Sequence, residues 1–142
     1  MTIAAILGGK GGEVLSIACD TTVREAIEIL AENRIGSLPV LKDGRVVGIM
    51  SERDVIYCLR SDGAVILDWP VEQIMTAPAI TVEPDIGALV ALSMMTKRRI
   101  RHLPVVESDR LIGIVSIGDL VAYRINRIEQ EAEAMRAYIQ SA

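Results

Sequence analysis

The chain has no phenylalanine, one tryptophan and three tyrosines among its 142 residues. Its core must therefore be aliphatic, built from Ile, Val, Leu, Met and Ala. It has a single histidine and two distant cysteines, Cys19 and Cys58. Those residues form no cluster with metal-ligand spacing and no Cys-His or Ser-His-Asp set, which argues against a zinc site or triad catalysis. The cysteines read as buried thiols in a reducing cytoplasm. No apolar run approaches the roughly 18–20 residues of a membrane span. The short apolar stretch Ile3 to Leu7 has no basic region before it and no cleavage-like end, which argues against a secretory signal. Positive charge is also in deficit: the net charge is −4, so general affinity for nucleic acid is not expected. Gly8-Gly9-Lys10-Gly11-Gly12 fails the Walker pattern, because Gly11 stands where Ser or Thr is needed. It reads as a flexible turn.

What the chain does contain, it contains twice. Displaced by 65 positions, residues 16–55 fall onto 81–120 without a gap. Asp20 meets Asp85, Ala26 meets Ala91, and Arg34-Ile35 meets Arg99-Ile100. Leu38-Pro39-Val40 meets Leu103-Pro104-Val105. Gly48-Ile49-x-Ser51-x-x-Asp54 meets Gly113-Ile114-x-Ser116-x-x-Asp119. A duplicated unit of about 60 residues, near the lower limit for independent folding, implies two halves packed on each other.

Each unit opens with a strand-like piece, Val14 to Ile17 and then Ala79 to Val82. Val23, Ala26, Ile27 and Leu30 form one apolar helix stripe, and Ala88, Ala91, Leu92 and Met95 form its copy. Thr22-x-x-Glu25 is a capping box that the second copy has lost. Asp43-Gly44 between two aliphatic runs marks a hairpin, repeated around Ser108-Asp109. A second helix starts near Ser51 and near Ser116. The pattern is β-α-β-β-α twice, an α+β fold of two units packed about a pseudo-two-fold. We divide it into residues 1–62, a linker at 63–74, a second unit at 75–125 and a helical extension at 126–142. In that extension Val121, Ile125, Ile128, Ala132, Met135 and Ile139 are spaced 4, 3, 4, 3, 4, a heptad-type seam. Such a helix either lies on its own domain or packs on another chain. Its length favours the second, with Glu129, Glu131 and Glu133 solvating the other faces.

Arg-Ile-x-x-Leu-Pro-Val, an aliphatic hairpin, and Gly-Ile-x-Ser-x-x-Asp opening the final helix resemble the CBS domain. Two in tandem resemble the CBS pair, or Bateman module, of the stand-alone kind. The resemblance covers residues 2 to 125, and Ile74-Met75-Thr76 matches the usual opening of a second unit. It implies two clefts between the repeats that hold an adenosyl compound: AMP, ADP, ATP, NAD or S-adenosylmethionine. It further implies that Asp54 and Asp119 accept hydrogen bonds from both ribose hydroxyls, with Ser51 and Ser116 beside them. A carboxylate is acceptor-only and takes a vicinal diol in bidentate fashion, although Ser-x-x-Asp is by itself also a capping box. The two residues before Leu-Pro-Val meet phosphates in the family. They are Arg101 and His102 in the second unit but Gly36 and Ser37 in the first, which weakens the phosphate binding expected of the first. Arg53 can reach a phosphate and Gly118 lets backbone approach one; otherwise the first is an exposed helix residue and the second relaxes a turn. Adenine would lie against Ser16, Ile17, Ile80 and Thr81, with Pro39 and Pro104 nearby. The basic run Lys97 to His102 is otherwise a solvated helix end.

The resemblance points to a non-enzymatic sensor with no catalytic residue, no metal and no catalytic cofactor. It would be homodimeric and cytoplasmic, off the membrane and off nucleic acid, and able to act on a regulated protein partner. The rival reading is a protein-interaction module whose clefts are vestigial.

Overall fold

Thr22 accepts a hydrogen bond from the Glu25 N–H at 3.2 Å and starts a helix that buries Val23, Ala26 and Leu30. In the computed structural model, which describes residues 1–10 and 14–141, the elements run in the following order. They are α1 (Ile3–Lys10), β1 (Ile17–Ala18), α2 (Val23–Asn33), β2 (Ser37–Lys42), β3 (Arg45–Ser51) and α3 (Glu52–Asp62), then α4 (Ala88–Arg98), β4 (His102–Glu107), β5 (Arg110–Ser116) and α5 (Ile117–Ser141). Two 3-10 turns, Gly63–Asp68 and Val71–Gln73, lie between α3 and α4. The copy of α2 starts at Gly87 without a side-chain cap, as the lost Thr predicts.

β1, β2 and β3 form one sheet, with β1 parallel to β2 and β2 antiparallel to β3; β4 and β5 form a second antiparallel pair. Both hairpins turn in two residues with positive φ, Asp43 and Gly44 in one and Ser108 and Asp109 in the other. That is the geometry that matches strand twist. The expected opening strands are shorter than the sequence indicates. Pairing begins at Ile17, the first residue of its strand to enter the core, while Ser16 stays exposed. In the second unit only Val82 pairs, donating to the Pro104 carbonyl at 3.0 Å and accepting from the Val106 N–H at 2.9 Å.

Two aliphatic cores result. One gathers Leu38, Val40, Met50, Ile66 and Val71 with the α2 stripe; the other gathers Ile3, Met95, Leu103, Val105, Val115 and Leu120. The segment ahead of each repeat packs into the other repeat. Ile3 has no exposed surface in the second core, and neither Ile66 nor Val71 has any in the first. The bonds match pair by pair. Val71 N–H donates to Thr21 and Ile3 N–H to Ile86; Val23 N–H donates to Trp69 and Ala88 N–H to Met1; Glu72 N–H donates to Cys19 and Ala4 N–H to Pro84. Residues 1–7 are thus equivalent to 69–75, a repeat displaced by 68 rather than 65.

This corrects the flexible turn expected at Gly8 to Gly12. Gly8, Gly9 and Lys10 close helix α1, while Gly11 and Gly12 lie outside the described residues. Burial of Ile3, with Ile6 and Leu7 packed beside it, outweighs the weak helix propensity of glycine.

Candidate functional site

Ser51 ends β3 and caps α3. Its hydroxyl accepts from the Asp54 N–H at 3.2 Å, and Asp54 Oδ2 accepts from both the Ser51 N–H at 2.9 Å and the Ser51 hydroxyl at 3.0 Å. Ser116 and Asp119 repeat the box at α5, with Ser116 N–H donating to Asp119 Oδ2 at 2.8 Å and Asp119 N–H to the Ser116 hydroxyl at 3.1 Å. Asp54 has a further partner. The Thr76 hydroxyl donates to Asp54 Oδ1 at 3.0 Å. Thr76 is held there by two backbone bonds with Ile49, at 3.0 and 2.9 Å. Its equivalent ahead of the first repeat is Gly8, which has no hydroxyl.

Asp54 lies in a cleft of about 200 Å³ made by both repeats. Ser37, Ser51, Glu52, Arg53 and Asp54 line it from the first, and Ile80, Arg99, Ile100, Arg101 and His102 from the second, with Thr76 between. The second cleft, about 410 Å³, is lined by Leu15, Arg34, Ile35, Ser37 and Pro39 from the first repeat and by His102, Ile114 and Ser116 from the second. The larger space has the poorer chemistry. Among the described residues it has no lining carboxylate, and its lining includes one arginine, Arg34, and the imidazole of His102.

The clefts therefore cross the repeats. Arg101 and His102, assigned from sequence to the second unit's site, share a cleft with Ser51, Arg53 and Asp54 of the first. The first unit's helix start thus has Arg101 and His102 of the other repeat in its cleft, alongside its own Gly36 and Ser37. The other expected residues lie elsewhere. Gly118, Asp119, Ser16 and Thr81 line neither cleft, and Ile17 and Pro104 are buried.

Three groups escaped the sequence reading. Thr76 is one. The pair Arg34 and Arg99 is the second, each in the left-handed conformation at a helix end, with φ of 52° and 55°. A side chain there costs about 1 kcal/mol relative to glycine, yet both copies have arginine, and each arginine lines one cleft. The repeated Arg-Ile was the available signal. The third is the state of Ser37. It is 5 % exposed, lines both clefts, and its hydroxyl has no hydrogen-bond partner among the described residues. Leaving it unpaired costs about 1–3 kcal/mol.

Below the site, burial and then the charges of Asp54 and Asp62 push the Cys58 thiol up. It is no reactive thiolate at neutral pH. Among the described residues no cluster of His, Cys, Asp or Glu could hold a metal ion, and no helix is long and apolar enough to cross a membrane.

The protein-family model described as CBS domain matches residues 12–61 and 71–126. The mitochondrial CBS domain-containing protein CBSX3 of Arabidopsis thaliana is 35% identical over 98% of this chain and 72% of its own length. The CBS-domain containing protein ATU1752 from Agrobacterium tumefaciens superposes with a TM-score of 0.82 at 34% identity, over 87% of this chain and 99% of its own. Protein PAE2072 from Pyrobaculum aerophilum, solved with AMP, has a TM-score of 0.73 at 31% identity, over 84% and 89%. The CBS domain pair of protein MJ0100, solved with 5-methylthioadenosine and S-adenosyl-L-methionine, has a TM-score of 0.79 at 26% identity, over 89% and 98%.

Proposed function

The chain belongs to the CBS-domain family as a tandem pair, and we propose that it is a non-enzymatic regulatory module binding an adenosine-containing ligand between its repeats. The observation that carries the proposal is the shared cleft. In it a capped Ser51–Asp54 helix start faces Arg99, Arg101 and His102 of the other repeat across the aliphatic edge of Ile80. A carboxylate suits a vicinal diol, a helix N-terminus with arginines suits a phosphate, and an aliphatic edge suits a base. Relatives solved with AMP and with S-adenosyl-L-methionine supply the ligand class. AMP, ADP, ATP and NAD suit this cleft best, because its cations favour a phosphate. The sulfonium of S-adenosylmethionine is repelled by them.

Ligand bridging the repeats favours the arrangement in which both halves grip it, and that differential affinity is what makes the pair a switch. We place the module in the cytoplasm, where two free cysteines are stable, as a homodimer that acts on a protein target. The test is a thermal melt with AMP, ADP, ATP, NAD or S-adenosylmethionine. A ligand at 100 times its Kd adds about 2.7 kcal/mol of stability, a rise of several degrees. No shift with any of the five at millimolar concentration would sink the proposal and leave the interaction module with vestigial clefts.

Ser37 gives a sharper test, because its two effects have opposite sign. Ser37→Ala removes an unpaired buried hydroxyl, so the free protein melts at the same temperature or higher. It also removes a bond the ligand can make, so Kd for the nucleotide rises about fivefold, the weight of one hydrogen bond of about 1 kcal/mol. Calorimetric titration beside a melt reads both. A lower melting temperature with unchanged Kd would show Ser37 to be packing alone.

A further inference from the structure

Only the first turns of α5 pack on the chain's own body. Leu120 is buried and Tyr123 lies against the second core, whereas residues 124–141 are all exposed. These residues span about 27 Å at 1.5 Å per residue. Isolated helices of this length are marginal in water, and helices in proteins draw most of their stability from packing an apolar face. The face is there, unpaired: Val121, Ile125, Ile128, Met135 and Ile139 are each 43–66 % exposed.

Charge identifies the occupant and its direction. With Ile125, Ala132 and Ile139 at heptad position a and Val121, Ile128 and Met135 at d, the flanking g positions are Arg124 and Glu131. The flanking e positions are Glu129 and Arg136. In a parallel pair each g residue meets the e residue five positions on in the partner. Arg124 then meets Glu129, and Glu131 meets Arg136, so every such pair is attractive, and each occurs twice by symmetry. In an antiparallel pair that uses the whole seam, Val121 lies opposite Ile139 and Ile125 opposite Met135. That register sets Glu129 against Glu129 and Glu131 against Glu131. Arg127 already holds Glu131 from within its own helix at 3.3 Å, which keeps the carboxylate on the flank of the seam.

Resting on the homodimer reading, we propose that two copies of this chain pair through residues 121–139 as a parallel two-stranded coiled coil. Its flanks are the Arg124–Glu129 and Glu131–Arg136 pairs. The two CBS bodies then sit side by side at one end of the coil.

The experiment uses the full chain with Ile139→Cys, mild oxidation and sedimentation. A parallel pair brings the two new thiols together at an a position, so a covalent dimer is expected that the unsubstituted chain does not form. Arg136→Glu turns two attractive exposed pairs repulsive and raises the dimer dissociation constant about tenfold. Adding Glu131→Arg to it restores the wild-type value. A monomeric wild-type chain would overturn the homodimer reading itself. A dimer that gives no disulfide at 139, or ignores Arg136→Glu, would overturn the parallel coil while leaving the dimer standing, and a trimer would overturn its two strands.

Discussion

Asp54→Asn is expected to weaken nucleotide binding about thirty- to a hundredfold while leaving the melting temperature nearly unchanged. Hydrogen bonds to Asp54 use three of the roughly four acceptor positions that a carboxylate offers: two from Ser51 on Oδ2 and one from Thr76 on Oδ1. A ribose diol needs two positions. Binding therefore takes the open one and displaces the hydroxyl of Thr76, an exposed residue. Asparagine keeps one oxygen for the Ser51 N–H and turns its amide toward Thr76, so the cap survives. It offers the diol neither charge nor a second acceptor oxygen, and two charge-assisted bonds of about 1.5–3 kcal/mol each weaken or are lost. Asp54→Ala removes the cap as well and costs a further 1 kcal/mol or so of stability. Calorimetric titration of both variants with AMP separates the roles. An Asn variant with wild-type affinity would take Asp54 out of ligand recognition and return it to capping alone.

That division shows how far the residues could be read before the fold was known. The in-register repeat exposed Ser51, Asp54 and their copies, because local chemistry at a helix start is legible from four residues. It exposed the hairpins for the same reason: Asp43-Gly44 and Ser108-Asp109 occupy backbone angles that few residue types tolerate. It did not reveal which half faces which. Comparing two copies aligns each residue with its counterpart, whereas a cleft joins residues that are not counterparts. Arg101 and His102 lie beside Asp54 for that reason, and only the packed pair discloses it. Thr76 and the first helix were hidden by a different cause. Their repeat is displaced by 68 positions rather than 65, so the register that aligns the motifs misaligns Leu7 with Met75 and Gly8 with Thr76.

The same displaced repeat sets the largest expected change in stability, Gly48→Ala. Gly48 and its copy Gly113 are both buried strand glycines with ordinary backbone angles, so backbone freedom does not explain them. Each is crossed by the segment that packs in from ahead of a repeat. A Cβ on Gly48 would lie 2.6 Å from the Met75 sulfur and 2.9 Å from the Thr76 carbonyl oxygen. The three atoms nearest a Cβ on Gly113 all belong to the Leu7 side chain, its methyls at 2.6 and 2.9 Å. A leucine end can turn away; a carbonyl fixed between two backbone bonds to Ile49 cannot move without breaking them. Alanine gains about 0.5–1 kcal/mol over glycine in a strand, which offsets the cost at 113 and leaves that variant within about 1 kcal/mol of wild type. At 48 the overpacking and the lost bonds outweigh it, for a net loss of about 2–3 kcal/mol, or roughly 8 °C in the melting temperature. The displaced Thr76 also releases Asp54 Oδ1, so whatever nucleotide the folded variant still binds need not dislodge a hydroxyl. Its affinity per folded molecule falls far less than in Asp54→Asn. Equal melting temperatures for the two alanine variants would refute the rigid Thr76 crossing.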